Sequence, residues 1–217
     1  MKNIPRIFVG NNVQTGIKIP LSRETLHYLT RVMRTRDCLV FGDGNEYNAT
    51  ISGDEKNLII GEKTSHIDPS NSITLMFAPI KHTDDLINKA TQMGVARFMP
   101  VITARTVAHH INWERMKKIA IESAEQSNRN SVPEILEPIK FSDLDLSDVV
   151  FADERAAYGT DASTDFNTTK VMIGPEGGFS DDEFNALDSA GARGVGLGKT
   201  ILRAETAAIV ALAKIIK

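Results

Sequence analysis

Apolar positions follow two different patterns along the chain. Residues 1–65 carry short apolar runs of strand length at 6–9, 38–41, 46–51 and 58–61. Turn-forming sequences, GDGN at 42–45 and SGDEKN at 52–57, separate the last three runs. Between the first two runs, Ser22 is a favoured N-cap residue, and Leu26, Leu29 and Met33 follow it at helical spacing. This part of the chain therefore predicts a small β-barrel or sandwich with one helix.

After residue 72 the pattern changes to strands that alternate with helices. The polar stretch HIDPSNS at 66–72 is interpreted as a linker. Buried-type strands are predicted at 73–78, 98–102, 149–152, 171–173 and 194–197. Helices are predicted from Thr83 to Gly94, from Asn112, from Ser180 to Gly191 and over 205–216, where Ser180 and Glu183 form a capping box. This order predicts a mostly parallel sheet with helices on both faces, an α/β fold.

Composition narrows the class of protein. The 217 residues are 41% hydrophobic and 24% charged, which is typical of a globular protein and not of a disordered chain. The single cysteine, Cys38, cannot form an internal disulfide, and no apolar run approaches the ~20 residues of a membrane span. The N-terminus has no apolar core of signal-peptide length. We therefore expect a cytoplasmic protein without a membrane segment.

The net charge of −3 hides an uneven distribution. Residues 141–190 hold 12 Asp/Glu against 2 Lys/Arg, whereas residues 191–217 hold 5 Lys/Arg against 1 Glu. Residues 22–36 carry four arginines and His27 against Glu24 alone. A polyanion could bind only through such local patches, and on charge alone a solvated helix face is the favoured interpretation.

A glycine-rich turn at 174–180, GPEGGFS, is the first candidate for a ligand site. It follows a predicted strand and precedes a predicted helix, and open α/β sheets bind ligands at the carboxyl ends of their strands. Gly177 and Gly178 allow close backbone approach, and Glu176 adds a carboxylate for a hydroxyl or ammonium group. The alternative is an ordinary strand–helix turn.

The second glycine-rich stretch, GARGVGLGKT at 191–200, does not match the known nucleotide-binding motifs. A Walker A loop needs glycine where Arg193 stands, and the spacing G-x-G-x-G is not the dinucleotide fingerprint. Arg203 and Glu205 then open an otherwise apolar helix. Taken singly, Glu205 is explained by the helix dipole and Arg203 by an ion pair with the acids at 181–183.

Metal and hydrolase chemistry are not indicated. His109 and His110 are adjacent, so on regular structure their side chains point apart, and no Cys/His cluster supports them. There is one cysteine and no G-x-S-x-G motif. We expect no metal.

Several segments together resemble the RsmE family of 16S ribosomal RNA uridine-N3 methyltransferases, which belongs to the SPOUT class. The motifs are IGPEGGFSDDEF at 173–184 and LGKTILRAETAA at 197–208, with KHTDDLINKATQMGV at 81–95 and IAIESAEQSNR at 119–129 upstream. RIFV at 6–9 and LHYLTRVMRTRD at 26–37 resemble the family's PUA-like domain. The resemblance runs nearly end to end.

This resemblance implies a PUA-like β-barrel domain at 1–67 and a SPOUT α/β methyltransferase domain at 73–217 with a C-terminal trefoil knot. It implies S-adenosylmethionine as cofactor, bound by Ile173, Gly174, Pro175, Glu176, Gly177, Gly178, Leu197, Gly198, Ile201 and Leu202. It also implies a homodimer. The apolar closing helix is a candidate dimer face, although burial within the monomer explains it equally well.

The implied reaction is methyl transfer to N3 of a uridine, with Arg203 and Glu205 as catalytic residues. Arg203 would stabilise negative charge on the uracil oxygens, and Glu205 would orient it or accept the N3 proton. The partner is 16S rRNA, free or in the assembled 30S subunit. The RNA-binding candidates are Arg6, Arg23, His27, Arg31, Arg34, Lys81, Arg105 and Arg129. Two alternatives stay open: a SPOUT 2′-O-methyltransferase acting on another rRNA or tRNA site, and a non-catalytic RNA-binding protein of the same fold.

Overall fold

The computed structural model describes residues 4–10, 12–42, 44–68, 72–108 and 110–216. Its internal packing divides the chain into two compact units. The first unit contains residues 1–70 and 121–132, and the second contains 71–120 and 133–217. The domain boundaries at 67 and 73 stay a prediction. His109 lies outside the described residues.

The first unit is built on a mixed five-stranded sheet. Its strands are β1 (Arg6–Phe8), β2 (Lys18–Pro20), β3 (Asp37–Gly42), β4 (Asn45–Ile51) and β5 (Asn57–Lys63), in the order β1-β3-β4-β5-β2. β1 pairs with β3 in parallel, and the other pairs are antiparallel. The sheet and one helix enclose a core that includes Leu29, Val40, Tyr47 and Ile60. Cys38 is part of this core, where burial raises the pKa of its thiol to about 12.

The predicted helix of this unit starts where expected but does not continue as one α-helix. Ser22 caps α1 (Arg23–His27) by accepting from the Thr25 amide, and a π-helix follows over Tyr28–Val32. The Thr30 hydroxyl donates to the Leu26 carbonyl at 2.7 Å, which occupies an acceptor of the α-helical ladder. β2 was not predicted, because its three residues carry no alternating apolar pattern.

Arg6 lies inside the first unit, not on an RNA-binding surface. Its side chain is 6% exposed, and Nε donates to the Glu46 carboxylate at 2.9 Å. Its terminal nitrogens donate to the Asn130 side chain and the Ala124 carbonyl, and the guanidinium lies over the Phe41 ring. We therefore remove Arg6 from the RNA-binding candidates.

The segment 66–72, interpreted as a linker, contains the boundary between the two units at residues 70 and 71, and its first residues are hydrogen-bonded within the first unit. The Asp68 carboxylate accepts from the Asn130 amide at 2.7 Å and from the Ser131 hydroxyl at 2.8 Å. His66 Nε2 contacts the Asn128 carbonyl at 2.8 Å. The polar composition of this segment thus reflects hydrogen bonds within the unit, which sequence patterns do not distinguish from solvation.

The second unit is an α/β domain with a parallel sheet, as predicted. The strands are β6 (Thr74–Phe77), β7 (Arg97–Ile102), β8 (Glu134–Ile135), β9 (Ile139–Lys140), β10 (Val150–Ala152), β11 (Lys170–Ile173) and β12 (Arg193–Val195). Their order is β12-β10-β11-β6-β7-β8, and β9 also pairs with β7. All these pairs are parallel. The last strand is shorter than predicted.

Both faces of the sheet are covered. On one face, Met76, Phe151 and Met172 pack with Phe184 and Leu187 of α4 (Asp181–Ser189). The residues that alternate with them, such as Leu75 and Val171, are also fully buried. α2 (Thr83–Gln92) packs against α5 (Ala204–Ile215), which also contacts β11.

The helix ends confirm most of the capping predictions. Asn112 precedes α3 (Trp113–Gln126) and accepts from the Arg115 amide, and the Ser180–Glu183 capping box is complete. Gly94 follows α2 with a φ of +91°. Thr83 is the first residue of α2 and not its N-cap, because its hydroxyl bonds the Ile80 backbone and leaves the cap position to His82.

The buried pair in the first unit predicts a large difference between two arginines. Arg6→Met leaves the Glu46 carboxylate buried without its cation, so we expect a loss of about 3–5 kcal/mol in the free energy of unfolding. Arg36→Met, the control, breaks a pair with Glu55 in which both side chains are about half exposed, and should cost less than about 1 kcal/mol. Urea unfolding followed by circular dichroism measures both. Equal losses would contradict the structural role of Arg6.

Candidate active site

A cavity of about 230 Å³ lies where three neighbouring parallel strands end. Its lining includes the residues that follow β10, β11 and β12, together with the start of α5. Eight of the ten residues predicted to bind the cofactor are in this lining: Ile173, Gly174, Pro175, Glu176, Leu197, Gly198, Ile201 and Leu202. Gly177 and Gly178 are not. The fold thus brings the two glycine-rich stretches to one cavity, although 18 residues separate Gly178 from Leu197 in the sequence.

Two glycines of the first turn leave little room for a side chain. Gly178 has a φ of +69°, and a Cβ there would overlap the Glu154 carboxylate. A Cβ on Gly174 would lie 3.1 Å from the Phe179 ring. The Gly178 amide donates to the Pro175 carbonyl at 2.9 Å and closes the turn directly before the capping box of α4.

Two side chains from other segments hold this turn. Arg105 donates to the Gly177 and Phe179 carbonyls at 2.9 and 3.1 Å. The buried Glu183 carboxylate accepts from the Ser180 and Ala104 amides at 2.8 and 2.7 Å. Arg105, a predicted RNA-binding residue, is therefore exposed beside the cavity and also supports its wall.

Acidic residues after β10 form a part of the cavity that was not predicted. Asp153 is buried, and its carboxylate accepts from the backbone and guanidinium of Arg155. Arg155 also pairs with Asp188 through two bonds of 2.9 and 3.0 Å and lies over the Phe184 ring. These bonds hold the pKa of Asp188 below its ordinary value. Asp153 is thus neutralised within the protein.

Glu154 differs from Asp153 because its side chain makes no hydrogen bond or ion pair within the described part of the chain. It is half-buried and lines the cavity. Burial raises the pKa of its carboxyl, the neighbouring Asp153 raises it further, and Arg105 and Arg155 partly offset these effects. The signal in the sequence was its position two residues after a buried strand, at the same sheet edge as the glycine turn.

Of the two predicted catalytic residues, the structure places only Arg203 in the cavity lining. Arg203 is the N-cap residue of α5 and is exposed, and its side chain makes no bond to the described residues. It does not pair with the acids at 181–183. Glu205 stands in the first turn of α5, half-buried and next to the lining residue Ala204. The roles of both residues stay predictions.

The remaining RNA-binding candidates are divided between the two units. Arg23, His27, Arg31 and Arg34 are exposed on the helical segment of the first unit. Arg129 is also in the first unit, half-buried with its pKa lowered by burial. Lys81 is exposed in the second unit, where its amide donates to the Glu176 carboxylate at 3.2 Å.

The described residues contain no group of three or more His, Cys, Asp or Glu side chains arranged to hold a metal ion. None of the helices described is both long and apolar enough to cross a membrane.

Comparison with known proteins identifies the class first. The family model described as RNA methyltransferase domain matches residues 68–216, and the model described as RNA methyltransferase PUA domain matches residues 21–63. The fold is therefore that of an RNA methyltransferase of the two-domain SPOUT type. This finding confirms the predicted fold class. The trefoil knot stays a prediction.

Relatives specify the family within this class. Ribosomal RNA small subunit methyltransferase E of Rickettsia conorii is 31% identical, with 97% of this chain and 94% of the relative covered. The protein of the same name from Mesomycoplasma hyopneumoniae is 31% identical, with 98% and 99% covered. The crystal structure of that enzyme from Neisseria gonorrhoeae, bound to S-adenosyl methionine, matches with a TM-score of 0.82 and 28% identity over 97% of this chain and 96% of the other. The chain belongs to the ribosomal RNA small subunit methyltransferase E family.

The geometry of the first turn predicts an effect on stability. Gly178→Ala places a side chain at positive φ and displaces the Glu154 carboxylate, so we expect a loss of at least about 1–2 kcal/mol. That corresponds to a Tm lower by roughly 2–8 °C. Gly198→Ala is the control, because its Cβ would meet open space at an ordinary φ. Differential scanning calorimetry compares them, and equal Tm values would contradict the steric argument.

Proposed function

We propose that this protein transfers the methyl group of S-adenosylmethionine to N3 of a uridine in small-subunit (16S) ribosomal RNA. The observation that carries the proposal is the cavity between the two glycine-rich turns, with the unpaired Arg203 in its lining. Family membership and the cofactor bound to the Neisseria gonorrhoeae enzyme support the choice of substrate and cofactor.

The residues of the cavity fit this cofactor. Ile201 is an apolar lining residue that is 58% exposed, and Leu197 and Leu202 lie in the same wall. A flat aromatic base would cover these side chains, while the backbone of Gly174 and Gly198 offers polar groups that no Cβ obstructs. Bound there, the cofactor supplies an electrophilic methyl group on a sulfonium.

The reaction needs N3 of uracil aligned with that methyl group and relieved of its proton. As the proton leaves, negative charge spreads to the two uracil oxygens. The Arg203 guanidinium, which has no protein partner, is positioned to stabilise this charge. Glu205, two residues further on, orients Arg203 or accepts the proton.

Substrate binding and assembly complete the proposal. N3 is occupied in a base pair, so the uridine is unpaired or flipped out. Arg23, His27, Arg31 and Arg34 of the first unit and Lys81 and Arg105 of the second bind phosphates. Ile209, Val210 and Ile215 of α5 and Ile216 directly after it stay partly exposed and offer a homodimer face, whereas Ala207 and Leu212 are buried within the protein. The protein acts in the cytoplasm, on free rRNA or on the 30S subunit.

The function is tested by mass spectrometry of small-subunit rRNA nucleosides from strains with the gene deleted or restored. We expect N3-methyluridine to disappear on deletion and return with the wild-type gene. Restoration with Arg203→Ala or Glu205→Ala should leave it absent, while the purified variants still bind S-adenosylmethionine in calorimetry. Full methylation by both variants would contradict the catalytic assignment.

Other outcomes of the deletion separate the alternatives. Loss of a ribose-methylated nucleoside with N3-methyluridine unchanged would identify a 2′-O-methyltransferase. No change in any nucleoside, together with no cofactor binding, would identify a non-catalytic RNA-binding protein.

Glu154 gives the cavity a pH-dependent affinity. The cofactor carries positive charge on its sulfonium and its ammonium group, and Glu154 is the acidic lining residue without a protein partner. Burial raises the pKa of the Glu154 carboxyl in the free protein. The carboxylate is therefore protonated, and loses its negative charge, at a higher pH than an ordinary glutamate would. Affinity for S-adenosylmethionine should therefore rise with pH across that range, with release of a proton on binding.

Calorimetry between pH 5 and 8 checks this pH dependence. Glu154→Gln should weaken binding at neutral pH by about 10- to 100-fold, as expected for loss of a charged hydrogen bond, and flatten the pH profile. Asp182→Asn, an exposed acid of α4 outside the cavity lining, is the control. S-adenosylhomocysteine keeps the ammonium but not the sulfonium charge, so it shows which charge Glu154 binds. An unchanged affinity and profile in Glu154→Gln would refute the contact.

A further inference from the structure

The helical segment of the first unit carries apolar side chains on its outer surface. Tyr28 and Val32 are 38% and 60% exposed. They stand one helical turn apart at the two ends of the π-helix. The other exposed large hydrophobic residues described in this unit, Ile4, Ile17 and Ile67, are widely separated in the sequence. The segment packs on the core through the fully buried Leu29 and the partly buried Leu26, and neither Tyr28 nor Val32 is among the residues of that core cluster.

Basic residues share this helical segment with Tyr28 and Val32. Arg23, His27 and Arg31 follow each other at intervals of four, each one position before Glu24, Tyr28 and Val32. All three are exposed, as is Arg34, and none of the four side chains has a bond or ion pair within the part of the chain that the structure describes. The two other arginines in the first 70 residues differ, because Arg6 and Arg36 are paired with Glu46 and Glu55.

The backbone of the segment is unusual in two respects. The Met33 amide donates to the Tyr28 carbonyl at 2.9 Å, which is the widened spacing of a π-helix, a feature frequent at functional sites. Arg34 has a φ of +53°, at the position after the helix where glycine is usual. The turn therefore places an arginine where a residue without a side chain would be less strained, and this arginine is solvent-exposed.

We propose that Tyr28 and Val32 form a stacking site for an unpaired nucleobase of the RNA, with Arg23, Arg31 and Arg34 binding the flanking phosphates. The inference rests on the proposed function and deepens it. A partly exposed aromatic ring on the same helical segment as three unpaired arginines matches single-stranded RNA, which offers a flat base and a phosphate at every nucleotide. Phosphate contacts alone would explain the arginines but not the exposed ring and the exposed Val32.

The test compares two oligomers of equal charge. A labelled 12-nucleotide oligouridylate and an abasic oligomer of the same length are titrated with the full-length protein, and Kd is measured by fluorescence anisotropy. Tyr28→Ala should raise Kd for the oligouridylate by about 5- to 150-fold, the range for loss of one stacked base, and leave Kd for the abasic oligomer unchanged. Tyr28→Phe, which keeps the ring, should behave as the wild type. Tyr158→Ala removes a tyrosine of the second unit that is 78% exposed, more than Tyr28, and is the control, with no change expected.

The phosphate contacts have a different signature. Arg31→Gln should weaken both oligomers equally and reduce the slope of log K against log salt by about 0.7. Tyr28→Ala should not change this slope. The inference is refuted if Tyr28→Ala binds oligouridylate as the wild type does. It is also refuted if the wild type binds both oligomers equally, since the surface would then bind phosphates alone. Binding of neither oligomer would refute it too, since the surface would then fit a protein partner.

The proposed methyl transfer and the proposed stacking site can be refuted independently of each other. Oligomer binding does not require methyl transfer, so absence of N3-methyluridine in the restored strain would refute the proposed reaction and leave the stacking result standing. Conversely, N3-methyluridine formed by a protein whose Tyr28→Ala variant binds normally would refute the stacking site alone.

Discussion

The candidate active site depends on close approach between backbone and side chains at three glycines of the parallel-sheet unit. A Cβ on Gly178 would overlap the Glu154 carboxylate, one on Gly174 would press against Phe179, and one on Gly194 would lie 2.7 Å from the Asp153 carboxylate. Gly174 and Gly178 follow β11 and Gly194 lies in β12, so these approaches occur next to the segments that line the cavity. Phe179 meanwhile packs edge-on against Phe151 and Phe184 in the core. The wall of the cavity and the core of the sheet are therefore one packed structure.

Charge pairing separates residues that hold the structure from residues left available for ligands. Arg6, Arg155 and Glu183 are each bound by two or more protein groups. Arg203, Glu154 and the arginines of the first unit's helical segment have none within the described chain. An unpaired charge beside a cavity or on an exposed ridge keeps its full capacity to bind a ligand, and for this reason the proposals rest on those residues.

Sequence patterns predicted most of the fold. The alternation of apolar runs and capped helices after residue 72 gave the parallel α/β sheet, because buried parallel strands read as continuous apolar runs and helix starts carry local hydrogen-bonding residues such as Ser180 and Asn112. The short strands β2, β8 and β9 escaped prediction, since two or three residues define no period. The π-helix escaped as well, because the apolar spacing of Leu26, Leu29 and Met33 is equally compatible with an α-helix.

The amino-acid sequence by itself determined the fold class and the two glycine-rich turns, because these depend on local spacing and residue type, whereas Arg203 and Glu205 became catalytic candidates through the resemblance to the RsmE family. The tertiary structure decided which charged side chains form bonds within the protein and which stay available for a ligand. It buried Arg6 in a network with Glu46 and Asn130, assigned Arg105 to the wall of the cavity and left Glu154 unpaired inside it. Partners as far apart as Arg6 and Asn130 meet only when the chain folds, so no local pattern reveals whether a charge is buried, paired or free.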